Sequence, residues 1–257
     1  MMDSQTMRRV AEGYGGSTRG HGPDPPSQAM GACAAPFRAV SSATMPSLRD
    51  LLATHAPLLV LDAASTRVQV GLLQSDGQAD WQTSEDEAGV AVFTCIEKLG
   101  IELGDVGAFV FCDGPGSILG IRTVAMAVRT WCVLKPRPIF AYTSLAVVAH
   151  ASGQPDLAVI SDARRDSWHL FQIDSGLKRV PTAAVENLSG LVTPEGFRNW
   201  TPLPPAMRRV PYSLAELLPR VAEIDLFLRT EAPDAFLHEE PSYVTWTPHV
   251  HRAPAPR

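Results

Sequence analysis

An α/β fold is what this sequence predicts, and three adjoining stretches carry the prediction. The apolar run from Val106 to Phe111 reads as a buried strand. It leads into the turn Asp113-Gly114-Pro115-Gly116-Ser117. The turn opens an apolar segment, Ile118 to Leu134, which has no Pro and no Gly after Gly120 and reads as a buried helix. That order directs main-chain N–H groups and a helix N-terminus out of the end of a sheet, where an anion can sit. Gly114 and Gly116 admit backbone angles closed to other residues, Pro115 fixes the turn between them, and Ser117 is placed to cap the helix. A tight strand–helix turn with no ligand is the competing reading, and Asp113, a carboxylate beside the anion position, weighs toward it.

The elements around this turn follow in order. Met45 to Leu52 reads as a short helix capped by Ser47. Leu58 to Leu61 and Val68 to Leu73 are strands, and Asp76-Gly77 signals a hairpin into a third strand over Ala79 to Thr83. Ser84-Glu85-Asp86-Glu87 has capping-box spacing, opening a helix to Leu99 with Gly100 just past its end. After the helix at 117–134 come a strand at 138–141 and a helix capped by Ser144 that ends near His150. Leu157 to Ile160 and Trp168 to Ile173 are strands. A helix capped by Ser213, with Glu216 three residues on, runs toward Thr230 and bends at Pro219.

Composition narrows the class of function. The chain is 45% hydrophobic and 19% charged, as in ordinary globular proteins. Its net charge of −5 argues against gripping nucleic acid unaided, since phosphate binding needs a basic surface. Cys33, Cys95, Cys112 and Cys132 form no C-x-x-C pair and no zinc spacing; Cys95, Cys112 and Cys132 lie in apolar segments and are expected to be buried free thiols in a reducing compartment. No apolar run reaches the ~18 residues of a membrane span, and no apolar signal segment follows Arg8 and Arg9. Residues 1–44, rich in Gly, Ser, Pro and Ala, lack periodicity and are expected to be disordered. Translation beginning at Met45 or Met30 is one account of that leader and a regulatory tail the other.

Residues 114–122, Gly-Pro-Gly-Ser-Ile-Leu-Gly-Ile-Arg, are similar to the Gly-Pro-Gly-Ser-Phe-Thr-Gly-hydrophobic-Arg signature of the TsaB (YeaZ) family, which helps make threonylcarbamoyladenosine in tRNA. Three strands, helix, strand, helix, strand, helix is the order of the ribonuclease-H-like unit that actin, sugar kinases and Hsp70-type ATPases use twice, as TsaB proteins do. Ser161-Asp162-Ala163-Arg164-Arg165-Asp166-Ser167-Trp168 resembles the family's Asp-Ala-Arg-Arg-Gly-Glu-Val-Tyr hairpin, with Asp166 and Ser167 in place of Gly and Glu. Pro241-Ser242-Tyr243-Val244 resembles its Pro-x-Tyr-hydrophobic close. The fold implied is a duplicated ribonuclease-H-like (actin-like ATPase) α/β fold with an abbreviated second lobe. It divides as residues 1–56 (leader and short helix), 57–152 (first lobe), 153–248 (second lobe) and 249–257 (tail).

Departures from the family matter as much. The first turn reads Asp62-Ala63-Ala64-Ser65-Thr66 where the family has Asp-Thr-Ser, so the phosphate-type turns (Asp62, Ser65, Gly114, Gly116, Ser117, Arg122) are degraded, and a buried, capped Asp62 is the favoured reading. No His follows Ser84, where the family commonly has a His-Ser or His-Thr pair. Residues 189–212 show no second strand–glycine turn–helix. The metal-ligating His-x-x-x-His of the family's catalytic paralogue is absent, and His249 and His251 sit in a Pro-rich tail. On the helix ending at Leu99, Ala88, Val92, Cys95, Ile96 and Leu99 share the core face, and Val90 and Phe93 fall outside it. On the next helix, Ile118, Ile121, Ala125, Val128 and Cys132 share it, flanked by Val124 and Trp131 on one side and by Leu119, Met126 and Val133 on the other. Another helix of the same chain, or a subunit interface at Val90, Phe93, Val124 and Trp131, would cover these flanks; the resemblance, through the helical bundle TsaB proteins form, implies the interface.

The resemblance implies a non-catalytic scaffold or activator with no catalytic residue and no metal of its own. Its expected partners are a TsaD-like transferase and a TsaE-like ATPase, or a second copy in their absence. It meets tRNA only through the complex, in the cytoplasm and away from membranes. No cofactor is expected, beyond weak ATP or ADP binding in the complex. Arg164 and Arg165, with Asp162 at the second-lobe hairpin, read either as a phosphate or carboxylate site or as solvated turn residues. An ATP-dependent kinase of the same superfamily and a peptidase are the alternatives.

Overall fold

The computed structural model describes residues 45–235 apart from 187, 205 and 206. The leader at 1–44, the closing motif at 241–244 and His249 and His251 lie outside the described residues. Two mixed sheets share one strand order. The first runs β11-β5-β4-β1-β2-β3, built from β1 (Leu58–Asp62), β2 (Val68–Leu73), β3 (Ala79–Ser84), β4 (Ala108–Gly114), β5 (Ile139–Thr143) and β11 (Leu228–Arg229). The second runs β10-β9-β6-β7-β8, built from β6 (Ala158–Asp162), β7 (Ser167–Gln172), β8 (Gly176–Pro181), β9 (Leu191–Pro194) and β10 (Arg208–Val210). In each, three antiparallel strands are extended by two parallel ones beside the first strand. The chain therefore has the duplicated ribonuclease-H-like fold.

The period-2 geometry of a strand explains why the apolar runs are unbroken. Leu58 and Val60 of β1 and Ala108 and Val110 of β4 face the core between the sheets. Leu59, Leu61, Phe109 and Phe111 face the outer layer of α2 (Ala88–Lys98) and α3 (Ile118–Leu134). The inner core is filled by α1 (Leu48–His55), α4 (Ser144–Ser152) and α6 (Leu214–Arg220), with α4 packed on α6, β6 and β7. The second sheet's outer face buries Ala158, Ile160, Trp168, Leu170 and Leu191 under α5 (Thr182–Val185), a single turn.

The abbreviation of the second lobe lies in its helices. All five strands are present, but β9 passes to β10 with no helix between them among the described residues, where the first lobe has α3. Sequence reading did not place β8, β9 or β10, which are short, polar or rich in Pro. Strands of that kind are set by their neighbours in the sheet rather than by their own pattern.

Several caps differ from expectation. Ser47 does cap α1, in a reciprocal box with Asp50. Ser84 closes β3 instead of opening α2: its hydroxyl donates to the Asp86 carboxylate at 2.8 Å, and the helix starts at Ala88 with no side-chain cap. The far end is as expected, with Gly100 at φ +63° and the N–H groups of Gly100 and Ile101 returned to Glu97 and Ile96. The N-cap of α4 is Thr143, while buried Ser144 donates to the Pro115 carbonyl at 2.6 Å. Helix α6 stops at Arg220, one residue past Pro219, well short of Thr230.

Candidate functional site: a cleft between the lobes

A cleft of about 560 Å³ opens between the two lobes, walled by the glycine turn and start of α3 on one side and by Asp162, Arg164, His169, Phe197, Arg198 and Trp200 on the other. Strand ends in both sheets deliver these residues, as the fold class dictates for ligand crevices. The sequence-predicted residues divide here. Gly114, Gly116, Ser117, Arg122, Ser65, Asp162 and Arg164 line the cleft, whereas Arg165 is exposed at the hairpin and outside that lining. Asp62 is fully buried behind the cleft wall.

Asp62 holds the lobes together. Its carboxylate accepts from the Tyr142 and Tyr212 hydroxyls at 2.7 Å each and from the Ala64 N–H at 2.9 Å. Tyr142 lies on β5 of the first lobe and Tyr212 just ahead of α6. Burial raises the carboxyl above its ordinary range, and the two tyrosines and the Ala64 N–H pull it back. More bonds stitch the same seam. Arg67 and Gln69 both donate to the Tyr212 carbonyl at 3.2 Å, Gln69 accepts from the Leu214 N–H at 2.9 Å, and the Thr66 N–H donates to the Gly196 carbonyl at 2.8 Å. The Ser65 hydroxyl is turned onto Arg67, donating to its carbonyl and accepting from its N–H.

The two phosphate-type turns of the first lobe close on each other. The Ser117 N–H, first of the donors an anion would use, donates to the Ala64 carbonyl at 2.7 Å, and the Ser117 hydroxyl caps Gly120. A Cβ on Gly116 would lie 2.5 Å from the Ala64 carbonyl oxygen, and one on Gly120 would lie 2.3 Å from that of Ala63. These glycines are required by contact with the Ala63-Ala64 backbone. Gly120→Ala is accordingly expected to destabilise the protein by about 1–3 kcal/mol through backbone displacement, read as a lower urea midpoint at unchanged slope. An unaltered midpoint would show the contact to be looser than this.

Charge in the cleft is unevenly committed. Arg122 pairs with Asp234 at 3.5 Å. The Asp162 carboxylate accepts from the N–H groups of Arg164, Trp200 and Thr201 at 2.6–2.7 Å, which fastens the loop after β9 to the second-lobe hairpin and holds its carboxyl below the usual range against the opposing effect of burial. Arg164, Arg165 and Asp166 are all left-handed, with φ between 50° and 61°, which makes the hairpin tight; the Arg164 guanidinium stacks 4.2 Å from the centre of the Trp200 ring. Asp113 keeps one buried carboxylate oxygen without a hydrogen-bond partner among the described residues, and burial pushes its carboxyl up to about 7. Its folded value exceeds the unfolded one, so its contribution to stability is present below about pH 4 and is lost as pH rises toward 7. Asp113→Asn removes this loss. Its stability relative to the parent should improve by about 2–4 kcal/mol between pH 4 and pH 8 in urea titrations, and an equal difference at both pH values would refute it.

The apolar faces of α2 and α3 form the second candidate surface, and half of the expected set is corrected here. Val124 and Trp131 are 1% and 7% exposed, packed into the chain's own core, where Trp131 meets Phe109 and the edge of Phe93. Val90 and Phe93 are 58% and 51% exposed, and Leu119 and Met126 are 79% and 57% exposed beside them. Phe93, Leu119 and Met126 line one groove of about 500 Å³. The buried face of α3 is rotated by a fraction of a turn toward the Val124 and Trp131 flank, so the opposite flank of Leu119, Met126 and Val133 is exposed and Ile118, read as core, is half exposed.

Sequence reading missed Tyr142, Tyr212, Gln69, Arg198 and Trp200. A tyrosine in an otherwise buried strand needs a partner for its hydroxyl, so Tyr142 was the findable one. Among the described residues no three His, Cys, Asp or Glu side chains gather as a metal site, and no helix is long and apolar enough to cross a membrane.

Residues 82–199 match the family model for TsaD, tRNA N6-adenosine threonylcarbamoyltransferase. No curated protein matches the chain. Among solved structures, YeaZ from Pseudomonas aeruginosa is 23% identical at a TM-score of 0.46, covering 59% of this chain and 83% of its own. An uncharacterised protein with similarity to peptidase YeaZ from Pseudomonas aeruginosa is 22% identical at 0.45, covering 64% and 89%. The match to the TsaD family model spans residues 82–199, less than half of the chain, and takes in the signature at residues 114–122.

Proposed function

We propose that this protein is a non-catalytic scaffold subunit for tRNA threonylcarbamoyladenosine modification, partnering a TsaD-like transferase. The observation that carries the reading is the state of the two phosphate-type turns of the first lobe: Asp62, Ser65 and the Ser117 N–H are all bonded within the protein. A phosphoryl-transfer site needs such groups turned toward phosphate and metal. The groove bearing Phe93, Leu119 and Met126 gives a transferase subunit, or a second copy in its absence, an apolar seat. In this reading a TsaE-like ATPase joins the cytoplasmic assembly, tRNA is met through the complex, and nucleotide binds weakly if at all outside it.

The cleft itself favours a second reading, an ATP-dependent kinase of the same superfamily, because it retains arginines and a carboxyl of raised pKa. Three measurements separate them. Tagged protein drawn from its native cell should bring down a TsaD-type paralogue, and loss of the gene should deplete threonylcarbamoyladenosine from tRNA. Micromolar ATP·Mg²⁺ binding with turnover by the isolated chain, without either of those results, would establish the kinase instead.

A further inference from the structure

The second sheet has a basic edge. Strands β6, β8, β9 and β10 run in one direction, so their C-terminal ends lie along the same side of the sheet. Each of them delivers arginine there. Arg164 and Arg165 follow β6, Arg179 stands near the end of β8, Arg198 lies in the loop after β9, and Arg209 is the penultimate residue of β10. The Arg179 guanidinium donates to the Ala163 and Arg164 carbonyls at 3.3 Å each, which ties β8 to the hairpin. Arg164, Arg165, Arg198 and Arg209 are exposed, and among the described residues none of these four is paired with a carboxylate. The acids of the same edge are Asp162, Asp166 and Glu195. Asp162 is held by three N–H groups and Asp166 accepts from the Thr182 hydroxyl at 2.8 Å, which leaves Glu195 to oppose the row. Among the arginines, Trp200 is 55% exposed, with Arg164 stacked 4.2 Å from its ring centre and its own N–H anchored on Asp162. The chain's net charge of −5 is carried elsewhere, since residues 161–210 hold seven Lys and Arg against five Asp and Glu.

We propose that this edge is an RNA-contact surface, where an unpaired base stacks on the Arg164–Trp200 pair and neighbouring phosphates sit on Arg165, Arg198 and Arg209. The identity of the polyanion rests on the tRNA-modification reading above; its chemistry is read from the edge itself. Planar bases stack on indole rings and on guanidinium planes, and phosphates accept from the forked donors of arginine. An acidic peptide would satisfy the arginines but brings no flat group for the indole. The stack is formed in advance, because Arg164 sits in the tight hairpin at φ 61° and the Trp200 backbone is bonded to Asp162. Neighbouring strands lie about 4.8 Å apart, so the four gaps from β8 to β10 give an edge roughly 19 Å long. That length meets several phosphates of one strand. The acidic remainder of the chain keeps its affinity low, so the edge adds a contact within an assembly instead of gripping RNA alone.

The test is binding of a short, fluorescein-labelled single-stranded RNA to the full-length protein, read by anisotropy over a series of low salt concentrations. Trp200→Leu should weaken binding at least about fivefold, through loss of one stacked base. Arg198→Gln and Arg209→Gln should each lower the slope of log affinity against log salt by about 0.7, the share of one phosphate contact. Arg164→Lys should keep the slope and still lose affinity, because an ammonium offers no plane to stack on. Circular dichroism should match the parent throughout, since these side chains are exposed. Absence of measurable binding overturns the inference, as does binding that all four variants leave unchanged. Competition by polyglutamate or by AMP as effective as that by unlabelled RNA overturns it too, by showing that only charge or a single nucleotide is read. Capture of a TsaD-type paralogue is scored separately. RNA binding indifferent to these residues leaves the scaffold reading standing, whereas RNA binding through them without that paralogue keeps the surface and removes the scaffold.

Discussion

Asp62→Ala is expected to unfold or nearly unfold the protein, at a cost of about 3–5 kcal/mol. Three donors, the Tyr142 and Tyr212 hydroxyls and the Ala64 N–H, converge on one carboxylate that is fully buried. Removing it strands all three away from water, and each buried unsatisfied group costs about 1–3 kcal/mol. Tyr212→Phe should cost less, about 1–2 kcal/mol, since it deletes one donor and leaves the acceptor two others. The ordering distinguishes a lobe-pinning carboxylate from a phosphate-site acid whose protein bonds are incidental. Urea denaturation of Asp62→Ala, Asp62→Asn and Tyr212→Phe reads it directly, and an Asp62→Ala midpoint within error of the parent would remove the carboxylate from the seam.

The pH dependence has a definite sign. Burial raises the Asp62 carboxyl, so its contribution to stability is present below the unfolded value of 3.8 and lost as pH rises through the folded one, the same direction as for Asp113. Carboxylates that merely pair on the surface would act the opposite way. Asp62→Asn should therefore flatten part of the fall in stability on the alkaline side of pH 4 even while it weakens the seam.

What was legible in the sequence depended on whether the signal was local. The first lobe was, because β1, β2, β4 and α3 are long apolar runs bounded by turns, and the capping role of Ser117 follows from its place after Gly116. The second lobe was only half legible. Its hairpin showed in residues 161–168, but β8, β9 and β10 are held by neighbours and carry little pattern of their own. Ser84 shows how spacing misleads: Ser-x-x-Glu reads as a capping box, yet register with β2 keeps Ser84 in the sheet opposite Val68. The site was legible as residues and not as a state. Nothing in Asp62-Ala63-Ala64-Ser65 discloses that a tyrosine 150 positions along would take its carboxylate.

Phe93→Asp, Leu119→Asp and Met126→Asp are each expected to abolish association with the TsaD-like partner proposed above, or self-association in its absence, while leaving the monomer folded. All three side chains are more than half exposed and share one groove, so the carboxylate stays in water in the free subunit. Surface replacements of this kind shift stability by about 0.5 kcal/mol or less. In an assembled seam the same carboxylate is desolvated, and the apolar burial worth roughly 1.5–3 kcal/mol per large side chain is forfeited as well. Trp131→Asp is the counterweight. Packed against Phe109 and Phe93 and 7% exposed, it should cost about 3–5 kcal/mol of folding before any partner is considered. Sedimentation reports association and circular dichroism reports folding, and both must move as stated. If the three exposed variants associate like the parent, the groove is ordinary surface and the partner docks elsewhere. If Phe93→Asp unfolds as Trp131→Asp does, its edge contact with Trp131 belongs to the core and the seam must be drawn from α3 alone.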